Sequence, residues 1–362
     1  MSTYHKLKEI KIDGYKSIKS QTIKLKDINL LIGQNGAGKT NFISLFRFLR
    51  NIIEGRLKNV SLKAGAENLL FYGSKETKAI EIFLDFSPNV YEITLQPSNI
   101  DSLIVANERC GFHDHYYPKP YWESVISSDE ESGLSKNVKK SKITSYVYDV
   151  LSEWRVYHFH DTSESAGVKK YCSISDNMFL FEDASNLAAF LYVLKETQNE
   201  YYERIVKTVQ LVIPFFKDFV LRPNPLNEEN IRLEWQDKFS DKTFSANEFS
   251  DGSLRFICMA TLLLQKTLPK VILLDEPELG LHPSAITILA GLLKKASKRS
   301  QVIVSTQSVN LVNEFDAEEI IVVERDNEQT VFNRLESAKL ESWLEDYSLG
   351  ELWDKNVIGG KP

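Results

Sequence analysis

Apolar residues in this chain recur at two spacings, one of two residues and one of three to four. Alternation and short apolar runs predict strands over residues 7–13 ("LKEIKID") and 21–33 ("QTIKLKDINLLIG"). Residues 79–86 and 90–95 predict a hairpin around "SPN". From Lys39 to Ile53 the spacing changes: Phe42, Leu45, Phe46, Phe48 and Leu49 share one face of a helix. The pattern then loosens. Residues 101–153 carry "HDHYYPKPYW" and "SSDEESGLSKNVKKSK", which predict a partly flexible insertion. Within it, 128–143 reads as a solvated loop and 144–153 as a helix. Residues 155–161 predict a strand, and 185–213 a helical stretch ending near Pro214. "FVLRP" and "IRLEWQD" predict strands of a small sheet.

From residue 252 the rhythm is regular. Helices are expected at 252–266, 283–297 and 308–314, and strands at 271–275, 301–305, 319–324 and 329–334. A last helix holds "ESAKLESWLEDY". Alternating strands and helices predict an α/β fold with a mainly parallel sheet. The chain shows neither internal repeats nor a long heptad run.

With 43% hydrophobic and 26% charged residues, 362 residues suffice for a substantial core. A net charge of −6 argues against a generally basic nucleic-acid coat and leaves a local basic face open. Three scattered cysteines make no disulfide framework, so a reducing compartment is expected. The charged start "STYHKLKEIKI" has no signal-peptide core, and no apolar run reaches a membrane span. The expectation is a cytoplasmic protein with no membrane partner.

Chemistry enters at "GQNGAGKT", Gly33 to Thr40, which matches G-x-x-x-x-G-K-[ST] between an apolar strand and a helix. Glycine lets backbone N–H groups of Asn35, Gly36, Ala37 and Gly38 curl around phosphate oxygens at the positive end of the helix, with Asn41 just inside it. Lys39 would reach the β- and γ-phosphates, and the Thr40 hydroxyl would bind Mg2+. "VILLDEPE" supplies a second part. A buried strand closes on Asp275, which would hold Mg2+, and on Glu276, which would orient the attacking water. ATP and Mg2+ are therefore the expected cofactors. Asp275 lies 236 residues beyond Lys39, too far for a small GTPase or a simple nucleotide kinase. A third feature, Ser250, Asp251, Gly252 and Ser253, is a small polar turn at a helix start. It caps its own helix and offers a second anion site.

Four stretches carry a resemblance: "INLLIGQNGAGKTNF", "FSDGSLRFICMATLLL", "VILLDEPELGLHPSAI" and "QVIVSTQSVNLVNEF". "YSLGELWDKNVIGG" adds to it. The chain resembles ABC-class P-loop ATPases of the RecF/SMC/OLD-like group, in the AAA-21 subset. The likeness covers both ends of the nucleotide fold but not 101–153. It implies an α/β head with a mixed, mainly parallel central sheet, an N-terminal antiparallel portion and a helical insertion. A single domain is expected, with 1–100 as the N-terminal lobe, 101–153 the insertion, 154–250 the remaining lobe and 251–362 the signature helix onward. In this group Phe249 to Ser253 occupy the places of the signature Leu-Ser-Gly-Gly-Gln. That implies an ATP-sandwiched head-to-tail homodimer. Glu278 to Pro283 match the D-loop.

Departures accompany the likeness. Gln307 stands where many relatives have a γ-phosphate histidine, and it carries no charge and shuttles no proton. Slow hydrolysis is expected, although Gln307 could simply cap the next helix. The Q-loop glutamine has no evident counterpart; "HFHDTS" (158–163) is the nearest segment, with His160 or Asp161 as candidates. Cys110, His113, His115, His158 and His160 match no usual zinc spacing. After Val323 about forty residues remain, too few by ordinary domain size for a Toprim nuclease, so an effector nuclease is expected as a separate protein. The leading expectation is a nucleotide switch controlling such a partner in phage defence or DNA maintenance. A DNA-binding repair ATPase, a transporter subunit and a non-hydrolysing scaffold are the alternatives.

Overall fold

The computed structural model describes residues 6–113, 116, 119–125 and 130–361. His115, Tyr117 and residues 126–129 of the polar run lie outside them. Two six-stranded sheets organise the chain. The first is antiparallel, in the order β2 (Ile18–Lys24), β1 (Glu9–Tyr15), β4 (Ile80–Asp85), β5 (Asn89–Pro97), β6 (Leu103–Phe112) and β7 (Tyr121–Ser124). β3 (Ile28–Ile32) and β8 (Trp154–Tyr157) belong to the central sheet. Two small sheets follow: β9 (Cys172–Ser173) with β11 (Pro223–Asn224) and β12 (Asn227–Ile231), and β10 (Phe216–Val220) with β13 (Glu234–Asp237) and β14 (Thr243–Ser245). β15 (Val271–Asp275), β16 (Gln301–Thr306), β17 (Ile320–Asp326) and β18 (Gln329–Arg334) complete the central sheet. Its order is β18-β17-β3-β16-β15-β8, parallel throughout except for the edge strand β18.

Side chains alternate across a strand, so a sheet covered on both faces needs apolar residues at consecutive positions. β3, β15 and β16 meet that need. Leu30, Ile272, Val302 and Val304 enter one core, and Leu31, Leu273 and Ile303 enter the other. The first core is closed by the helices Leu187–Thr197, Asn199–Val212, Asp251–Leu264 and Pro283–Ser297. The second holds the helix Lys39–Ile53 between the central sheet and the antiparallel sheet. Trp154 is 1% exposed there, with its ring centroid 4.8 Å from Phe46 and 6.3 Å from Phe86.

Several sequence expectations change. The strand expected over 21–33 is two strands in different sheets. They part at Lys26 and Asp27, where the Asn29 side chain bonds Lys26 N and O at 2.9 and 2.8 Å. The expected helix over 185–213 breaks at Gln198 into two. Short helices at Leu57–Ala64, Ala66–Leu69 and Gly73–Glu76 gave no clear periodic signal. The first part of 101–153, expected within a partly flexible insertion, is the strand β6, paired with β5. The expected solvated loop contains a short helix, Leu134–Asn137, whose N-terminal side is drawn inward by buried Glu108. That carboxylate accepts bonds from Tyr91 Oη, Ser132 Oγ and Gly133 N at 2.7, 2.6 and 2.8 Å. A buried carboxylate requires such donors, and composition alone does not reveal where they come from.

Trp154→Ala should cost about 3–5 kcal/mol through the cavity it leaves between the two sheets. A urea unfolding midpoint unchanged from the parent chain would contradict that role.

Candidate active site

The phosphate loop leaves the C-terminal end of β3 and enters the helix Lys39–Ile53. Gly38 caps that helix at φ 116°, a conformation that favours glycine. A Cβ on Gly38 would also lie 2.2 Å from Thr330 Oγ1. Thr330, fully buried on β18, donates to Ala37 O at 2.8 Å and bonds Ser17 Oγ at 2.8 Å. Asn41 Nδ2 reaches the same Ser17 hydroxyl at 2.8 Å. The loop is thus held from outside by an edge strand that sequence reading did not connect with it. Asn35 and Gly36 are exposed, as is Thr40 at the second helical position. The C-terminal stretch also closes on the loop: Gly360 approaches Gly33, accepts from Trp353 Nε1 at 2.5 Å and donates to Glu324 at 2.7 Å.

Lys39 is buried, and its ammonium donates to Gly33 O at 2.5 Å and Gln34 O at 3.0 Å. Burial lowers its pKa, and the nearby carboxylates Glu276, Asp275 and Glu278 oppose that shift. All three acids sit at or just beyond the end of β15. Ser305 of the neighbouring β16 donates to Asp275 Oδ1. Glu276 adopts φ 42°, which costs a non-glycine residue about 1–2 kcal/mol. Its N–H is tied to Ser305 O at 2.9 Å, and its carbonyl accepts from Leu279 N at 3.2 Å.

Gln307 joins the two halves. Its side-chain Nε2 donates to Glu276 Oε1 and, at 2.6 Å, to Asn35 Oδ1 of the phosphate loop. The helix that follows is capped instead by Ser308, whose hydroxyl accepts from Leu311 N at 3.2 Å. Asn35, Lys39, Asp275, Glu276 and Gln307 therefore form one group around the strand ends.

Ser250 to Ser253 form a second group. Ser250 Oγ accepts from Ser253 N at 3.2 Å and caps the helix Asp251–Leu264, while Ser250 and Asp251 stay exposed. A Cβ on Gly252 would lie 2.2 Å from Gly280 O, so only glycine fits this approach. Among the described residues this turn makes no hydrogen bond to the phosphate loop. Arg255, missed in the sequence, ties it to the rest. Its guanidinium donates to Phe159 O, His160 O and Leu279 O at 3.2, 2.9 and 3.0 Å.

The segment 158–163 does reach the site. His158 and His160 each bring a ring nitrogen near an Asp275 carboxylate oxygen, with all three atoms within 4.8 Å of one another. Burial, reinforced by Arg47, lowers the His158 pKa to about 4. Asp161 instead accepts from Ser163 within its own turn, at 3.0 Å from N and 2.7 Å from Oγ. Cys110 is buried in β6, apart from this trio. Near these groups Glu278 is buried. Its Oε1 accepts from Thr306 Oγ1 and from Gln307 N at 3.4 Å, while Oε2 has no partner. Burial raises its pKa.

Comparison with known proteins now adds to the geometry. The family model described as "AAA domain, putative AbiEii toxin, Type IV TA system" (AAA_21) matches residues 28–313. The Old nuclease of Escherichia phage P2 is 23% identical over 93% of this chain, and the chain spans 62% of that relative's length. A solved Smc head bound to the C-winged helix domain of ScpA is 17% identical, with a TM-score of 0.55 over 93% of this chain and 99% of the other. A second Smc head, with an extended coiled coil and bound to the C-terminal domain of ScpA derived from Pyrococcus furiosus, is 16% identical at a TM-score of 0.52. That alignment covers 94% and 99% of the two chains. These structures share the fold. Among the described residues no helix is long and apolar enough to cross a membrane.

Glu278→Gln should stabilise the protein at neutral pH by removing a buried charge, one of whose oxygens has no partner. Glu278 has a raised folded pKa, so its cost is absent below the unfolded value near 4.3 and grows as pH rises through the folded value. The variant's advantage in thermal unfolding should therefore vanish in acid. An advantage that grows on acidification would contradict this account.

Proposed function

Because the chain belongs to the AAA_21 family and is a P-loop ATPase of the SMC/RecF/OLD-like class, we propose that it is a slow nucleotide switch. It binds ATP with Mg2+, closes head to tail with a second copy, and relays its nucleotide state to a separate effector. The observation that carries this reading is the Gln307 amide, which spans the phosphate loop at Asn35 and the acid Glu276. Nucleotide entering there meets both contacts at once.

The roles follow from the chemistry. Backbone N–H groups of Asn35 to Lys39 bind phosphate, Lys39 neutralises its charge, and Thr40 and Asp275 hold Mg2+. A bound γ-phosphate competes with the Gly33 and Gln34 carbonyls for the Lys39 ammonium. It also draws the Gln307 amide off Glu276, which frees that carboxylate to take a proton from water. Gln307 donates a hydrogen bond but neither carries charge nor moves a proton, which supports slow turnover. Exposed Ser250 and Asp251 offer the N-terminus of their helix to a partner's phosphate. Arg255 couples that turn to the segment carrying His158 and His160 and to the D-loop at Leu279. An effector of nuclease or toxin chemistry, acting in phage defence or DNA maintenance, is supported by the relatives' names and by family analogy.

Glu276→Gln should retain ATP binding and lower steady-state hydrolysis by roughly 10²-fold or more. Lys39→Ala should lose binding itself. Turnover by Glu276→Gln at the parent rate would remove Glu276 from the mechanism. Ser250→Arg should bind ATP as a monomer but fail to dimerise with it, as read by light scattering during size exclusion. An ATP-dependent dimer in that variant would return the turn to a plain helix cap.

A further inference from the structure

We propose that His158, His160 and Asp275 form a nitrogen-containing site for the divalent cation that accompanies the nucleotide, which admits later first-row ions such as Co2+ in place of Mg2+, with Mn2+ as its paramagnetic probe. This rests on the nucleotide-binding reading above and specifies the metal chemistry of the same site.

The placement follows from strand register. β8 runs parallel to β15, with Tyr157 opposite Leu274. His158 follows β8 directly and Asp275 ends β15, which brings the imidazole and the carboxylate together. His160, two residues further, brings its ring to the same place. Donors around one ion at bond lengths of about 2.1 Å lie roughly 3–3.4 Å apart. Three donors already within 4.8 Å of one another close to that spacing by small side-chain rotations.

A second observation points to a cation. His158 Nε2 is buried and has no hydrogen-bond partner. Such a nitrogen is costly unless something takes up its bonding capacity, and a metal ion does so through the lone pair. The surroundings fix the donors in advance. Arg255 holds the carbonyls of Phe159 and His160, the backbone N–H of His158 donates to Glu182 O at 2.8 Å, and Ser305 orients Asp275. Ligands held this way need little reorganisation on binding.

Donor type then decides which ion fits. Mg2+ takes oxygen ligands almost alone, whereas imidazole suits later first-row metals. Arg47 also faces His158 and opposes a bare cation. The negative phosphates of ATP offset that charge, so the ion and the nucleotide enter together.

The test loads the full chain with Mn2+ and a non-hydrolysable ATP analogue and records its electron spin-echo envelope modulation. Directly bound imidazole gives a 14N modulation, which is the expected result. It should weaken in His158→Ala and vanish in the double variant with His160→Ala. Growth with 15N-histidine should convert the pattern in the unmutated protein, which keeps the test independent of how the variants fold. Mn2+ and analogue bound together with only phosphorus and proton modulation would overturn the proposal and leave nucleotide binding intact. Loss of analogue binding by the unmutated protein would instead overturn both readings.

Discussion

Burial of the central sheet on both faces is the constraint from which the rest follows. β3, β15 and β16 are apolar at consecutive positions in their middles, so those side chains serve two cores and polar side chains stand toward the strand ends. Polar groups therefore collect where those strands end. The phosphate loop leaves β3, Asp275 and Glu276 terminate β15, and Ser305 and Gln307 terminate β16. Parallel direction puts all of these ends on one edge. The site is a consequence of how the core is built.

Within that edge the charges regulate one another. Lys39 is buried among three carboxylates, which keep an ammonium acceptable where burial alone would disfavour it. Glu276 is held at positive φ beside a neutral amide, and Glu278 carries a buried oxygen without a partner. Strained or unsatisfied groups gathered at one place are expected where binding changes the contacts. The Gln307 bridge is the contact most directly exposed to such change, since it joins loop and acid through a single side chain.

Arg255 extends the same logic to the signature helix. One guanidinium holds three carbonyls, two from the segment after β8 and one from the D-loop. Its planar fork of donors suits this bridging geometry, and a lysine would not reproduce it. The Gly252 to Gly280 approach adds a steric tie between the same elements. The strand ends thus have a stiff connection to the turn Ser250 to Ser253.

The sequence by itself determined the parts whose signal is local. The α/β class follows from the run of alternating periodicities after residue 252, and the phosphate loop, the acidic strand end and the helix expected from 252 each lie within a few adjacent residues, so spacing alone reveals them. Register, sheet assignment and long-range contacts were decided only by the tertiary structure. Nothing near Thr330 says that it pins Gly38, and nothing near Arg255 says which carbonyls it finds. The break between β2 and β3 and the recruitment of β6 to a sheet depend on partners far along the chain. His158 shows the difference most plainly. In the sequence it is one histidine in an apolar stretch, and pairing of β8 with β15 is what sets it beside Asp275.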